Sequence, residues 1–120
     1  MSDYVVPFYA TGFRGDALEE ALEEIAPISL RYGATSWSIY RFLDDRYRFQ
    51  LYTIWEDGRD FELYWYGTEF SDWRAEYSSY YQVPVVYAPV KLVATGHLGV
   101  QEGNGNGGGG AGVSPARAEP

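Results

Sequence analysis

The stretch TSWSIYRFLDDRYRFQLYTIWE, residues 35–56, decides the fold. In its first half Trp37, Ile39, Arg41 and Leu43 fall on one parity, and Ser36, Ser38, Tyr40 and Phe42 on the other. In its second half Tyr47, Phe49, Leu51, Thr53 and Trp55 alternate with Arg48, Gln50, Tyr52, Ile54 and Glu56. Alternation with period two is the signature of strands, which are placed at 35–43 and 46–56. Asp44-Asp45 between them predicts the tight turn of a hairpin. Neither strand has a purely polar face, so both faces of the sheet are expected to be at least partly covered.

Outward from the hairpin, residues 4–10 read as a strand in which Pro7 lacks a ladder donor and belongs at an edge or bulge. Residues 14–32 read as helical. Leu18, Leu22 and Ile25 share one face, and Asp16, Glu19, Glu20, Glu23 and Glu24 the other. Gly15 or Asp16 is expected to cap the start. Pro27 ends or kinks the regular part, and Gly33 stops it. Beyond the hairpin, Asp57-Gly58 reads as a turn and 59–80 as a second helix, with Tyr66, Phe70, Trp73 and Tyr77 at helical spacing. Gly67-Thr68 interrupts it, with Thr68 as the cap of a segment starting at Glu69. Val83 to Thr95 is the last strand, with Pro84 and Pro89 favouring edges or bulges. The order β-α-β-β-α-β predicts an α+β, ferredoxin-like fold: one four-stranded antiparallel sheet with both helices on one face. A second copy of the same sheet is the simplest cover for the other face, which makes a homodimeric α/β barrel the expected assembly.

The chain has 120 residues and a formal net charge of −8, with 9 basic and 17 acidic side chains. Such a surface repels phosphate and anionic lipid, so neither nucleic acid nor membrane is expected as a partner. The absence of cysteine removes disulfides, thiolate metal sites and cysteine nucleophiles, and a single histidine, His97, leaves no multi-histidine metal site. There is no apolar run of membrane-spanning length and no basic-then-apolar leader pattern, so a cytoplasmic protein is the expectation. All 22 aromatic residues lie between Tyr4 and Tyr87. Residues 1–96 are therefore assigned to the domain and 97–120, rich in glycine, to a flexible tail.

Tyr32-Gly33-Ala34-Thr35-Ser36-Trp37, the hairpin, and Phe49 to Trp55 followed by Glu56-Asp57 resemble the antibiotic-biosynthesis-monooxygenase-like, dimeric α/β-barrel family. The interrupted helix from Phe61 through Trp73 adds to the likeness, which covers residues 4–96. The resemblance implies a small oxygenase that needs no metal or flavin and acts on a quinol or polyketide-like aromatic. The haem-degrading members of the family rely on an Asn, a Trp and a His. This chain has no Asn before Asn104, and His97 ends the last strand, so haem degradation is not expected. The polyketide oxygenases use an Asn with Trp, Tyr and Arg, and only the last three types occur within residues 4–96 here.

Trp65 and Tyr66, just before the Gly67 break, are the expected substrate wall and hydrogen-bond donor. Arg41, on the parity of Trp37, Ile39 and Leu43, is the expected anion partner unless it snorkels to water at the sheet edge or pairs with an acid of the opposite strand. Trp37 and Tyr40 complete the expected binding set. Arg59 and Arg74 read as solvated, Trp55 as structural, and the acid pairs as a turn and a wet helix face. No residue stands out as the catalytic base. A non-catalytic barrel that binds a hydrophobic ligand is the alternative reading. Stacking of RNA bases on the sheet is disfavoured by the domain's net −7.

Overall fold

A computed structural model describes residues 1–99. It contains β1 (Ser2–Tyr9), α1 (Gly15–Ile25), α2 (Ser29–Tyr32), β2 (Ala34–Arg41), β3 (Arg48–Trp55), α3 (Gly58–Tyr66), α4 (Thr68–Glu76), one 3-10 turn (Ser78–Tyr80) and β4 (Ala88–Val90). The sheet is antiparallel throughout, with strand order β2-β3-β1-β4, as the ferredoxin-like reading requires.

Strand parity sorts the side chains. On β3, Phe49, Leu51, Thr53 and Trp55 are buried beneath the helices, opposite Phe8, Val6 and Tyr4 of β1. Leu18, Leu22 and Ile25 of α1 and Phe61, Phe70 and Trp73 of α3 and α4 close over them in one core. The opposite face carries Val5, Pro7 and Tyr9 with Arg48, Gln50, Tyr52 and Ile54, and Ser36, Ser38 and Tyr40. Among the described residues no helix lies on it, and Tyr40 is 55% exposed.

Several local expectations are corrected. The hairpin turn is not tight: β2 ends at Arg41 and β3 begins at Arg48. The wider loop is held by Phe42 N–H donating to the Arg48 carbonyl (3.0 Å) and Tyr47 N–H to Asp45 Oδ1 (3.2 Å). The last strand is three residues, not 83–95. Asp3 pairs with Val90, so β1 runs out of partners one residue later. Towards the other end, the same register would set Val86 against Pro7, which has no N–H to give. Pro7 thus sits in the gap between the β4 pairing and the isolated bridge of Ala10 with Tyr81. Neither Gly15 nor Asp16 caps α1: Arg14 occupies that position without a side-chain cap. Asp57 does more than turn the chain, because its Oδ1 accepts from Arg59 N–H (2.9 Å) and caps α3. Thr68 is the first residue of α4 rather than its cap. The second helix stops at Glu76 and tightens to 3-10 geometry. Residues 100–120 of the expected tail lie outside the described residues.

Gly33 ends α2 with φ of 116°, and a Cβ there would stand 2.8 Å from Asp60 Oδ2. Gly33→Ala is expected to destabilise the fold by about 1–3 kcal/mol in urea titrations, since both the backbone and the neighbour oppose it.

Tyr64 is fully buried and donates its hydroxyl to the Ile25 carbonyl at 2.6 Å, tying α3 to the end of α1. Burial pushes this phenol above its ordinary value. A group raised in the folded state stabilises in full below its unfolded value, about 10, and loses that contribution as pH climbs towards the folded value. The melting temperature is therefore expected to fall above about pH 10, and to fall less steeply in Tyr64→Phe, which has no proton to lose.

Candidate functional site

The five residues expected to bind substrate do not converge. Arg41 is only 17% exposed at its side chain, and its bonds are spent within the fold. Its Nη1 donates to Asp16 Oδ1 (2.8 Å) and Glu19 Oε1 (3.0 Å), and its Nε to the Arg46 carbonyl (2.7 Å). It fastens the end of β2 to the start of α1, and the Arg41 guanidinium holds the Asp16 carboxyl below its usual range. Trp37 is half-buried on the helix side of the edge strand β2, and Tyr40 stands on the opposite face. Trp65 and Tyr66 do meet a common neighbour, Tyr87. The Trp65 ring lies 5.5 Å from the Tyr87 ring, and the Tyr66 and Tyr87 hydroxyls are 3.5 Å apart.

The residue that completes this cluster is Arg74. Sequence reasoning set it in water. The structure lays its guanidinium over the Trp65 ring, 4.1 Å from the centroid, and 4.9 Å from that of Phe70. Among the described residues its Nη1 is buried with no hydrogen-bond partner, and no carboxylate lies within ion-pair distance. Desolvation lowers its pKa, opposed by the nearby Tyr81, Tyr66 and Tyr64. The geometry follows from α4: Phe70 and Arg74 are four apart and share a face, so the arginine stem emerges on the apolar side. That spacing was a readable signal. The Tyr81 hydroxyl donates to the Arg74 carbonyl at 2.8 Å and fixes the helix end behind it.

An unsatisfied donor on a desolvated cation costs about 1–3 kcal/mol unless something accepts from it. The Arg74 cation, backed by the buried Trp65 ring, and the Tyr66–Tyr87 hydroxyls suit an electron-rich oxyanion. The hydrogen bond with Tyr66, followed by burial, pushes the Tyr87 phenol up to about 12, so Tyr87 stays protonated and does not serve as a base near neutrality. The space between helices and sheet is filled: Phe49, Leu51, Trp55, Phe61, Tyr64 and Phe70 are fully buried. The cluster therefore forms a rim at the β4 side. A separate shallow groove of about 260 Å³ lies by Pro7, Tyr9, Arg48, Gln82, Val83 and Pro84. Among the described residues no group of three or more His, Cys, Asp or Glu side chains could hold a metal ion.

A single antiparallel ferredoxin-like sheet with its helices on one face is the fold of the antibiotic-biosynthesis-monooxygenase-like proteins. Among solved structures, a candidate antibiotic biosynthesis monooxygenase from Nitrosomonas europaea is similar with a TM-score of 0.69 and 20% identity, over 78% of this chain and 100% of that one. A candidate of the same name from Bordetella bronchiseptica gives 0.68 and 16%, over 78% and 97%. SnoaB from Streptomyces nogalater, a cofactor-independent oxygenase, gives 0.67 and 15%, over 78% and 94%. These likenesses show the fold. No family model matches the chain, and no curated protein matches it in sequence. No described helix is long and apolar enough to cross a membrane.

Proposed function

We propose that this protein is a cofactor-independent monooxygenase acting on a small, acidic aromatic of the quinol or polyketide type. The observation that carries the reading is the unpaired Arg74 guanidinium over Trp65. Arg74 holds the substrate oxyanion, Trp65 packs behind the guanidinium, and the Tyr66–Tyr87 pair donates to a second ring oxygen. Arg74 lowers the pKa of the bound phenol, so the proton leaves to solvent without an enzymic base. The resulting carbanion-like ring reacts with O₂. At a ring methylene, one oxygen atom becomes the carbonyl and the other departs as water with the two hydrogens. Oxygen uptake with a hydroxyanthrone, and ¹⁸O incorporation into the product, test this. One O₂ consumed per labelled product is the expected result, and uptake no faster than without protein overturns it. The second reading, a ligand-binding barrel without turnover, is favoured by the filled interior and the raised phenol of Tyr87; quenching of Trp fluorescence by ligand without oxygen uptake would select it.

The working unit is a homodimer in the cytoplasm. Val5, Pro7, Tyr40, Tyr52 and Ile54 on the helix-free face make an apolar patch of the kind soluble monomers seldom expose, and two-fold pairing buries it. Ser38, exposed in the middle of that face, tolerates a larger side chain within one protomer. Sedimentation equilibrium at micromolar concentration is expected to show a dimer of the 13.6 kDa chain, and Ser38→Arg a monomer of unchanged fold.

A further inference from the structure

The aromatic core links the rim to the far side of the helix layer. From Trp65 the ring of Phe70 is 4.8 Å away, from Phe70 that of Trp73 is 5.5 Å, and from Trp73 that of Tyr77 is 5.5 Å. The Tyr77 hydroxyl, half-exposed at the end of α4, donates to both Glu24 carboxylate oxygens at 2.9 and 3.0 Å. We propose that Trp65, Trp73 and Tyr77 form an electron-hole relay, which carries oxidising equivalents from the rim to the surface at Glu24 and protects the site from its own oxidants.

Three features give the relay a direction. The Arg74 cation lies against the Trp65 ring and raises the cost of a positive hole there, so the hole is driven onward. Trp73 is nearly buried, and its Nε1–H donates to the Ala21 carbonyl at 2.7 Å. A carbonyl does not take that proton, so Trp73 stays a radical cation able to pass its charge. Tyr77 alone along this path has a carboxylate to receive its proton, which makes its oxidation the downhill end. A second tyrosine, Tyr32, also donates to a carboxylate, Glu69, at 2.9 Å, but Glu69 is already engaged by Arg31 at 2.8 Å and held below its usual range. It is the poorer proton acceptor, and the relay ends at Tyr77.

The electron count closes. A one-electron oxidant at the rim, an oxyl or peroxyl radical, takes an electron from Trp65. Trp73 returns one to Trp65, and Tyr77 returns one to Trp73 while its proton moves to Glu24. The neutral Tyr77 radical then takes an electron from a thiol- or ascorbate-type reductant in solvent and recovers the proton from Glu24. The net change is one electron from reductant to oxidant.

The test needs no turnover, so its outcome and that of the oxygenase assay are independent. Because the chain lacks cysteine, Glu62→Cys, exposed on α3 one turn before Trp65 and Tyr66, accepts a single maleimide-linked ruthenium polypyridyl photo-oxidant. After flash oxidation, a nitroso spin trap and peptide mass mapping locate the tyrosyl radical. The trap is expected on Tyr77. Glu24→Gln and, separately, Trp73→Phe are expected to reduce that adduct several-fold with the melting temperature of Glu24→Gln unchanged. Adducts confined to Tyr66 or Tyr87, or an equal Tyr77 yield in Glu24→Gln, would overturn the relay.

Discussion

Arg74→Met is expected to weaken binding of a phenolate ligand by about 10- to 150-fold, while the fold becomes no less stable. A charge-assisted hydrogen bond contributes about 1.5–3 kcal/mol, and each 1.4 kcal/mol is tenfold in affinity. The stability half of the result comes from the unpaired Nη1. In the free protein that donor is desolvated without an acceptor. Methionine keeps a flexible stem over Trp65 and Phe70 and removes the stranded group. A gain of about 1 kcal/mol would raise the melting temperature of a domain this size by about 4–8 °C. Fluorescence titration with a hydroxyanthrone and a thermal melt, run on the same variant, read the two halves. Loss of both affinity and stability would assign Arg74 to the scaffold. Arg41→Met should behave in the opposite way. It removes the clasp on Asp16 and Glu19 and lowers stability without touching the ligand.

Trp55→Ala is expected to give the largest loss of stability, about 3–5 kcal/mol. Trp55 is fully buried at the end of β3, and its indole N–H donates to Thr53 Oγ1 at 2.8 Å. Its ring lies 5.7 Å from that of Phe61 and 5.6 Å from that of Tyr64, so it ties the sheet to α3. Native domains hold only about 5–15 kcal/mol in all, and a domain this small sits at the low end. The urea midpoint should collapse, and Trp55→Phe should recover part of it by refilling the cavity.

What the sequence made legible was set by periodicity. The β2–β3 alternation, the Leu18-Leu22-Ile25 face, the Pro27 break and the Gly33 stop all reached the structure, because each is a local steric or burial rule. The extent of β4 was not legible. It depends on where β1 begins and on Pro7 two strands of sequence away. The site was half legible. Trp65 and Tyr66 are in the cluster, but the arginine beside them is Arg74 rather than Arg41. Strand parity grouped Arg41 with Trp37 and Ile39 but left open which face meets the helices, and that acids of α1 rather than of the opposite strand pair with it is a tertiary fact. The helical spacing of Phe70 and Arg74 puts both on one face, but most helix arginines are solvated, so spacing alone does not single this one out.

The β4 edge has a consequence for the life of the chain in a crowded solution. A long, regular border strand would invite other chains to add to it. Here the border is three residues, with Pro89 at its centre opposite Tyr4. A proline has no amide hydrogen to offer an incoming strand, and so short a row gives little cooperative gain. A protein with 12 tyrosines and 4 tryptophans is rich in the residues that fibrils favour, and of the two borders of its sheet the β4 one is built to refuse templated growth, while β2 at the other is eight residues long.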